Sequence, residues 1–248
     1  MQAIISDAKF FKSCLDAIAN LVDEGNFQIT DKGMYLKSMD PSQIAMVEFN
    51  LPPEGFEKLE STSTQMIGMN IVDVGKILSR SRSGEKLSLS LMENQSKLSL
   101  EFTGESKRQF TLPLLDLTST TPKEPKITFD AHIKMRGGSF KEILGDAGLL
   151  SSHLILQATE TDFIIEAHGD SGDLSSVTKK TSSSVSQYEF TANARAMFPF
   201  EYLVDMTKSC PDDAVIDIWL KSDAPVKLSY SIGRASLTYY LAPRVDSE

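Results

Sequence analysis

Residues Lys97–Asp116 read KLSLEFTGESKRQFTLPLLD, and residues Lys227–Asp246 read KLSYSIGRASLTYYLAPRVD. The two stretches align without a gap and share Lys, Leu, Ser, Ser, Pro and Asp at matched positions. Each pattern predicts an alternating strand, a turn that contains glycine, and a second apolar strand that ends in Pro-x-x-Asp. A unit that recurs at about half of the chain length predicts two copies of one domain.

Three further blocks repeat at nearly the same spacing, so the duplication covers both halves of the chain. Chance similarity between alternating β sequences is the alternative, but four blocks in one register make it the weaker explanation. Each half reads strand, helix, paired strands, helix, strands, which predicts an α+β fold. The further blocks are Phe11–Leu15 with Phe140–Leu144, Asp31–Met39 with Glu160–His168, and Leu87–Leu91 with Ile216–Leu220.

A polar stretch separates the two copies. Residues Thr118–Lys126 (TSTTPKEPK) contain two prolines and no apolar residue, which is typical of an extended linker. We therefore place the first domain at residues 1–117, the linker at 118–126 and the second domain at 127–248. A second polar tract, Lys179–Gln187, is rich in serine and predicts a surface loop within the second copy.

The composition is that of an ordinary globular protein. The 248 residues are 41% apolar and 24% charged, which suffices for two cores of about 120 residues each. No apolar run approaches the roughly 18 residues that span a bilayer, and the first residues do not read as a signal peptide, so we expect no membrane partner. Cys14 and Cys210 are isolated, which predicts buried structural thiols in a reducing compartment.

The net charge of −9, taken alone, disfavours nucleic-acid binding, which prefers a basic surface. Helical spacing of apolar residues nevertheless predicts four helices, near residues 7–22, 71–79, 139–150 and from Pro199 onward. Each helix carries a cation off its apolar stripe, although solvated helix faces are the plain alternative. The cations are Lys9, Lys12, Lys76, Arg80, Lys141 and Lys208, with Arg82 just beyond the second helix.

The sequence shows no catalytic pattern. The histidines at positions 132, 153 and 168 share no metal-ligand spacing with each other or with the cysteines. Gly137 and Gly138 read as a strand-to-helix turn rather than as a phosphate-binding loop. Asp170 and Asp173, within GDSGD, could hold a cation, although such a cluster is more typical of a turn. We therefore assign no reaction, no cofactor and no metal.

Four motifs carry a family resemblance. They are Leu36–Asp40 (LKSMD), Val74–Leu78 (VGKIL), Leu112–Asp116 (LPLLD) and, most specifically, Tyr239–Val245 (YYLAPRV). With these motifs and the duplication, essentially the whole chain resembles the sliding DNA clamps of archaea and eukaryotes, the proliferating cell nuclear antigen (PCNA) family. The length and the ending are more similar to archaeal members.

The resemblance implies an α+β DNA clamp, the processivity fold. Three chains of two similar domains would form a closed ring, with helices lining the channel and antiparallel sheets outside. The implied function is that of a DNA polymerase processivity factor without catalytic activity, which encircles duplex DNA independently of sequence. It would tether DNA polymerase, flap endonuclease, DNA ligase and the clamp loader through short peptide motifs, in the cytoplasm at an archaeal nucleoid or in a eukaryotic nucleus.

Two alternatives remain open at this point. The chain could be one subunit of a mixed three-chain clamp rather than of a homotrimer. From another class, it could be an acidic metal-dependent hydrolase that uses Asp170 and Asp173.

For the DNA channel, the resemblance implies a basic, inward-facing role for Lys12, Lys76 and Lys208. The neighbouring cations implied there are Lys9, Arg80, Arg82 and Lys141. The sequence departs from the family at three positions that are often basic in relatives and are here Ala19, Ser79 and Gly145. A channel less positive than usual is therefore implied.

For partner binding, the resemblance implies a groove beside the linker that takes a short peptide with an aromatic pair. Methionine and isoleucine can adapt to aromatic anchors, and the backbone of Ala242 and Pro243 can pair with an extended peptide. On spacing alone Met39 and Met46 read as core residues, and for Met46 that alternative stays open. The implied groove comprises Met39, Gln43, Ile44, Met46, Pro122, Pro199, Pro225, Tyr240, Ala242, Pro243 and Arg244.

For ring assembly, the resemblance implies that an edge strand at Lys107–Leu112 meets an edge strand at Leu174–Lys179 of the next chain. Phe110 matches an aromatic residue of the family interface, although it could instead sit in its own core. The implied interface residues are Ile77 and Phe110 on one side and Ala147, Leu150, Leu174 and Val177 on the other.

Overall fold

The computed structural model describes residues 1–61, 63–92, 96–117 and 122–244. The chain divides into two compact units. The first comprises Met1–Pro41, Val47–Pro122 and Ile232–Leu237, and the second comprises Ser42–Met46, Lys123–Ser231 and Thr238–Glu248. Residues 118–121 of the predicted linker lie outside the described residues.

The first half of the chain contains nine strands and two helices among the described residues. In chain order they are β1 (Gln2–Ile5), α1 (Ala8–Ala19), β2 (Glu24–Thr30), β3 (Gly33–Met39), β4 (Ala45–Leu51), β5 (Lys58–Glu60), β6 (Gln65–Asn70), α2 (Ile71–Leu78), β7 (Lys86–Leu91), β8 (Lys97–Thr103) and β9 (Lys107–Pro113).

The second half repeats this order. Its elements are β10 (Ala131–Arg136), α3 (Gly137–Gly148), β11 (His153–Ala158), β12 (Asp162–Gly169), β13 (Gly172–Lys179), β14 (Val185–Phe190), β15 (Ala194–Pro199), α4 (Phe200–Thr207), β16 (Val215–Leu220), β17 (Val226–Ile232) and β18 (Ala235–Leu241).

Each half builds the same pair of antiparallel sheets. In the first, the strand orders are β5-β1-β7-β8-β9 and β4-β3-β2-β6; in the second, they are β14-β10-β16-β17-β18 and β13-β12-β11-β15. The two repeated stretches of the sequence form the equivalent hairpins β8–β9 and β17–β18. The predicted duplication is thus present in the topology as well as in the sequence.

The first helix forms where spacing and capping agree. The side chain of Asp7 accepts a hydrogen bond from the backbone N–H of Lys9 at 2.9 Å and caps the helix. Phe11 is buried together with Cys14 and Leu15, which follow it three and four residues later on the same face of the helix. This amphipathic pattern is the one that burial of a single helix face requires.

The third helix begins earlier than the sequence predicts. Gly137 and Gly138 form its first turn rather than a preceding turn, and their N–H groups donate to the carbonyls of Ala214 and Asp212. A Cβ at Gly137 would lie only 2.8 Å from the carbonyl oxygen of Pro211. Glycine is therefore needed because the helix start touches the loop before β16.

The predicted surface loop at Lys179–Gln187 is shorter than expected. Strand β14 already begins at Val185, which pairs with Met135 of β10. The serines gave no apolar alternation to reveal this strand, because it lies at the edge of its sheet and is held by backbone hydrogen bonds.

Two strands that the family resemblance places at sheet edges are found there. Strand β9 ends the five-stranded sheet of the first unit, and β13 ends the four-stranded sheet of the second. Both edges leave backbone groups that a further strand could pair with. Among the described residues, no helix is both long and apolar enough to cross a membrane.

Candidate functional site

The helix cations differ in how strongly neighbouring acids engage them. Lys12 pairs with Asp16 one turn along α1, and Lys76 pairs with Asp73 on α2 at 2.9 Å. Helical neighbours of opposite charge attract only weakly when exposed to solvent. Both lysines therefore keep most of their charge available to a polyanion.

Lys141 has a local structural role as well. Its ammonium lies 2.5 Å from the carboxylate of Asp212 and donates to the carbonyl of Cys210 at 2.7 Å. The hydrogen bond and charge of Lys141 lower the pKa of the Asp212 carboxyl. The side chain thereby ties α3 to the loop before β16, and its charge is partly neutralised.

The remaining helix cations are exposed. Lys208 is the C-terminal capping residue of α4, where a cation suits the helix dipole. Lys9, Arg80 and Arg82 are also exposed. On α2 and α3, a Cβ at Gly75 or Gly145 would meet no other atom within 4 Å. The helix backbone is therefore not covered by a side chain at these two positions.

The groove residues of the second unit come together around the end of the chain. The N–H of Ala242 donates to the carbonyl of Ile44 at 2.8 Å, and the N–H of Arg244 donates to the carbonyl of Met197 at 2.7 Å. These bonds hold Ala242 and Pro243 half-buried at the surface, with Ile44 half-buried alongside. Such a surface has the mixture of apolar side chains and fixed backbone that an extended peptide can use.

Tyr240 is almost fully buried, and its hydroxyl donates to the carboxylate of Glu124. The ammonium of Lys227 lies 5.4 Å from the ring centre of Tyr240 and 3.7 Å from Glu124. Glu124 belongs to the predicted linker, so these contacts anchor the described end of that segment. Sequence reasoning missed this role of Glu124, because nothing in a polar, proline-containing stretch distinguishes one acid from another.

The other proposed groove residues occupy varied positions. Gln43 is exposed with a left-handed backbone (φ 60°), and Met46 is 2% exposed, as its reading as a core residue requires. Pro199 precedes the first residue of α4, and Pro225 is half-buried just before β17. Met39 and Pro122 belong to the first unit, where both are half-buried.

On the edge strand β9, Phe110 is half-buried. Its ring packs edge-on against the buried Phe102 at 5.9 Å. Phe110 thus covers the rim of its own core and still presents part of its ring to the outside. Ile77 on α2 is likewise half-buried.

The edge strand β13 of the second unit exposes one apolar side chain among polar ones. Val177 is 55% exposed and Leu174 is half-buried. At the end of α3, Ala147 is buried, Leu150 is half-buried and Leu149 is 82% exposed. Sequence reasoning missed the exposed Leu149. The adjacent pair Leu149-Leu150 was a signal, because two consecutive residues at a helix end cannot both face the core.

A buried ion pair next to Phe110 was also missed. The carboxylate of Glu85 is 3% exposed and lies 2.6 Å from the guanidinium of Arg108, which also bonds the carbonyl of Arg80 at 3.2 Å. Charge-assisted hydrogen bonds of this kind fix geometry strongly. Arg108 thus links β9 to Glu85, just before β7, and to Arg80, just after α2, and these contacts hold the edge strand in place.

Asp170 forms part of the β12–β13 hairpin turn, whose Gly172 has φ +141°. Asp173 pairs with His168 across the two strands at 2.7 Å. Among the described residues, no group of three or more histidine, cysteine, aspartate or glutamate side chains is placed to hold a metal. The turn reading of GDSGD therefore accounts for these acids.

Two family models match nearly the whole chain, one half each. The model described as proliferating cell nuclear antigen, N-terminal domain, matches residues 1–121, and the corresponding C-terminal domain model matches residues 123–245. The DNA polymerase sliding clamp of Methanococcus vannielii is 32% identical over 244 residues, covering 97% of this chain and 98% of the relative. That of Thermococcus gammatolerans is 30% identical and covers 99% and 98%, respectively.

Solved structures agree. The crystal structure of PCNA from Thermococcus kodakaraensis matches with a TM-score of 0.93 at 24% identity, covering 98% of this chain and 99% of that chain. The structure of A. fulgidus PCNA with the C-terminal region of FEN-1 bound has a TM-score of 0.91 at 27% identity and covers 100% and 99%. The predicted fold, an α+β clamp of two tandem domains, is confirmed.

Proposed function

The chain belongs to the proliferating cell nuclear antigen family of DNA polymerase sliding clamps, and we propose that three copies close into a ring around duplex DNA. The observation that carries this proposal is the match of both family domains to consecutive halves of the chain, with little left over. In this role the protein is a processivity factor that performs no reaction of its own and acts by holding enzymes on DNA. The proposed domain limits are residues 1–117 and 127–248, joined by 118–126.

Assembly is proposed to use the two sheet edges. A strand at the edge of a sheet presents unpaired N–H and C=O groups that can pair with another chain. Strands β9 and β13 are different surfaces of one chain, so their pairing is head-to-tail and closes into a ring when the rotation per copy is suitable. The half-buried Phe110 and the exposed Val177 supply apolar area for this contact.

The helix cations are proposed to face the DNA. Lys9, Lys12, Lys76, Arg80, Arg82, Lys141 and Lys208 would approach phosphates, which makes binding independent of base sequence and sensitive to salt. Because Lys141 is partly neutralised by Asp212 and position 145 carries a glycine, the positive charge of this surface is reduced, and closure of the ring rather than affinity would keep the protein on DNA.

Partner enzymes are proposed to bind the groove through short peptides. Support comes from A. fulgidus PCNA, which was solved with the C-terminal region of FEN-1 bound. DNA polymerase, DNA ligase and the clamp loader are proposed to share the same surface. The proposed location is the cytoplasm, at the DNA of an archaeal cell.

The solution mass of the purified chain tests the proposed assembly. A homotrimer has three times the chain mass of 27.4 kDa, or about 82 kDa. Phe110→Asp should yield folded single chains, because an unpaired buried charge costs several kcal/mol at each of three contacts. Met66→Asp is the matched control, since Met66 is 54% exposed on the edge strand β6 outside the proposed interface.

Light scattering gives distinct outcomes. A wild-type mass near 27 kDa would reject the homotrimer and favour a subunit of a mixed clamp. An intact trimer of Phe110→Asp would show that Phe110 lies outside the contact.

A further inference from the structure

Lys227 of β17 is the point at which the linker contacts a sheet of the second unit. Its ammonium lies 4.9 Å from the ring centre of Trp219 on β16 and 5.4 Å from that of Tyr240 on β18. The same ammonium lies 3.7 Å from the carboxylate of Glu124, a linker residue. One cation therefore contacts the linker and both strands next to its own.

The sheet holds this ammonium in place from its own side. Trp219 lies directly opposite Lys227 in the β16–β17 ladder, so the two side chains share one face of the sheet. The face of an aromatic ring attracts a cation through the ring quadrupole, and two rings here attract one ammonium. The Lys227 side chain is 25% exposed, so water screens these attractions only in part.

Trp219 is in turn supported from its other side. Its ring stacks on that of His132 on β10, with ring centres 4.4 Å apart and an angle of 6° between the planes. Nε2 of His132 lies 2.6 Å from the carboxylate of Asp217, which lies 3.4 Å from the ammonium of Lys134. Because β10 and β17 flank β16, the tryptophan is fixed between the histidine and Lys227 and gives the lysine a firm support.

Glu124 is engaged by two groups of the sheet. The hydroxyl of Tyr240 donates a hydrogen bond to its carboxylate, and the ammonium of Lys227 supplies the opposite charge. Hydrogen bonds to an ionised acceptor are stronger than those between neutral groups. The three residues Glu124, Lys227 and Tyr240 are called the linker latch below.

The burial of Tyr240 connects the linker latch to the proposed groove. Only 4% of this residue is exposed, so it offers little of its own ring to a peptide. The Glu124 side chain, in contrast, is 48% exposed, and the tyrosine hydroxyl holds it. At this place a partner peptide would meet the linker rather than the tyrosine. The position of the linker therefore determines the shape of the groove here.

We propose that Lys227 is a positioning residue for partner binding, which holds linker residues 123–126 through the linker latch as a fixed wall of the groove before a peptide arrives. The inference rests on the proposed function, which supplies the peptide. Without the latch, a peptide has to order the linker as it binds, and such ordering lowers affinity. Loss of the lysine charge should therefore release the linker and weaken partner binding.

The first test needs no partner. Lys123 and Lys126 are exposed on either side of Glu124, so trypsin cleavage after these two lysines reports how often the linker leaves the sheet. The Lys227→Met variant keeps a long side chain over the rings and removes only the charge. We expect linker cleavage of this variant to be about three- to tenfold faster than that of the wild type, as loss of a partly screened ion pair and of the ring contacts predicts.

Arg195→Met is the matched control for this experiment. It also removes one cation and one trypsin site, and Arg195 lies 3.7 Å from Glu166, the same distance that separates Lys227 from Glu124. The control pair lies on β15 and β12, in the other sheet of the second unit. Linker cleavage should be unchanged in the control. Equal cleavage rates of Lys227→Met and the wild type would overturn the linker latch.

The second test measures partner binding to the intact protein by calorimetry. The probe is a peptide that contains glutamine, an aliphatic residue and two adjacent aromatics. We expect Lys227→Met to bind it about three- to tenfold more weakly than the wild type, in line with the cleavage rates. Arg195→Met should bind it with the affinity of the wild type.

A double-mutant cycle separates the linker latch from a general change in structure. If Lys227 acts through Glu124, Lys227→Met should weaken peptide binding by less than about twofold once Glu124→Gln is already present. An equal loss in both backgrounds would show that the lysine acts by another route, and the proposal would be rejected.

Failure of the groove and failure of this proposal give different results. If the peptide does not bind the wild type, the proposed groove is wrong, and with it the role of Lys227 in partner binding. If the peptide binds the wild type and Lys227→Met equally well, the groove stands and the role of Lys227 is rejected.

Discussion

Individual contacts at the end of the chain define the surface on which the proposed tethering depends. Ala242 bonds to Ile44, Arg244 bonds to Met197, and the hydroxyl of Tyr240 bonds to Glu124. A groove made in this way is largely formed before a partner arrives, which lowers the entropy lost on binding. Its apolar wall should then be sensitive to a single charge.

We expect a peptide with glutamine, an aliphatic residue and two adjacent aromatics to bind in the micromolar range, roughly −8 kcal/mol. Ile44→Arg should weaken binding at least about thirtyfold, because the variant places an unpaired charge against the aromatic rings. Calorimetry on the intact protein measures both values. Val215→Arg, a charge at a 45% exposed position outside the groove, should change nothing; equal affinity of Ile44→Arg and wild type would place the groove elsewhere.

Burial sets the chemistry of both cysteines. Desolvation raises the pKa of Cys14 to about 12 and that of Cys210 to about 11. Because the thiolate is the reactive form, neither thiol should react rapidly with a disulfide reagent at pH 8 until the chain unfolds, when two should react per chain. Fast reaction of the native protein would contradict this burial.

The same shifts have a consequence for stability. Burial raises the pKa of Cys14 from 9.0 in the unfolded chain to about 12 in the folded chain, so the folded state favours the neutral thiol. The resulting stabilisation is fully present below pH 9. This contribution should be lost as pH rises from about 9 toward 12, and Tyr188, whose pKa burial also raises to about 12, acts in the same direction.

At the scale of the element, α2 and α3 each contain a glycine, Gly75 or Gly145, that no neighbouring atom requires. These glycines lower the stability of the two helices. An added Cβ at Gly75 or Gly145 meets nothing within 4 Å, whereas one at Gly148 would lie 2.1 Å from the ring of Phe200. The packing of α3 against α4 therefore requires glycine at position 148, whereas positions 75 and 145 can accept a larger residue. This difference provides a matched comparison within one helix.

Gly75→Ala and Gly145→Ala should each raise the free energy of unfolding by about 0.5–1 kcal/mol, because alanine loses less backbone freedom in a helix. Gly148→Ala should lower it by about 1–3 kcal/mol through overpacking. Thermal or denaturant unfolding measures all three. A stabilising Gly148→Ala would show that α3 and α4 do not pack closely at Phe200.

Sequence periodicity gave the elements wherever one face is buried and the other is wet. It predicted α1 and the hairpins of the repeat, because alternation and helical spacing record burial directly, whereas the edge positions of β9 and β13 were implied by the family resemblance. It missed the early start of α3 at Gly137 and the strand β14 from Val185, where backbone contacts decide. The Arg108–Glu85 pair and the anchor at Glu124 were also hidden, since a charged residue in a sequence does not name its distant partner.

At the scale of the whole molecule, a net charge of −9 has to be reconciled with DNA binding. The proposed solution is local: cations on or just beyond the helices approach the DNA, and the acids that α1 and α2 also carry, Asp16 and Asp73, attract Lys12 and Lys76 only weakly. The duplication could be predicted from the sequence because its blocks keep one register. The residues of the channel, the groove and the interface were assigned from the family resemblance. Contacts between chains leave no periodic signal, so the channel, groove and interface remain proposals.

Reversal of Lys12, Lys76 and Lys208 to glutamate should leave the trimer intact and weaken DNA binding. Nine added acids per ring repel phosphates, and the defect should grow as salt is lowered because screening falls. The control variant reverses Lys32, Lys58 and Lys221, which lie outside the four helices and change the net charge equally. Fluorescence anisotropy with a duplex measures both; equal defects in the two variants would show that total charge matters and that no basic channel exists.

The proposed ring holds DNA by encircling it. A closed ring can pass onto a linear duplex only over the ends of the DNA. We would incubate the protein with linear DNA and then block both ends with bulky protein caps. A wash with salt strong enough to remove phosphate contacts follows. We predict that the protein survives the wash on capped DNA and is released when a nuclease opens the duplex internally. Loss from capped DNA in the wash, or retention that the internal cut does not end, would contradict encirclement.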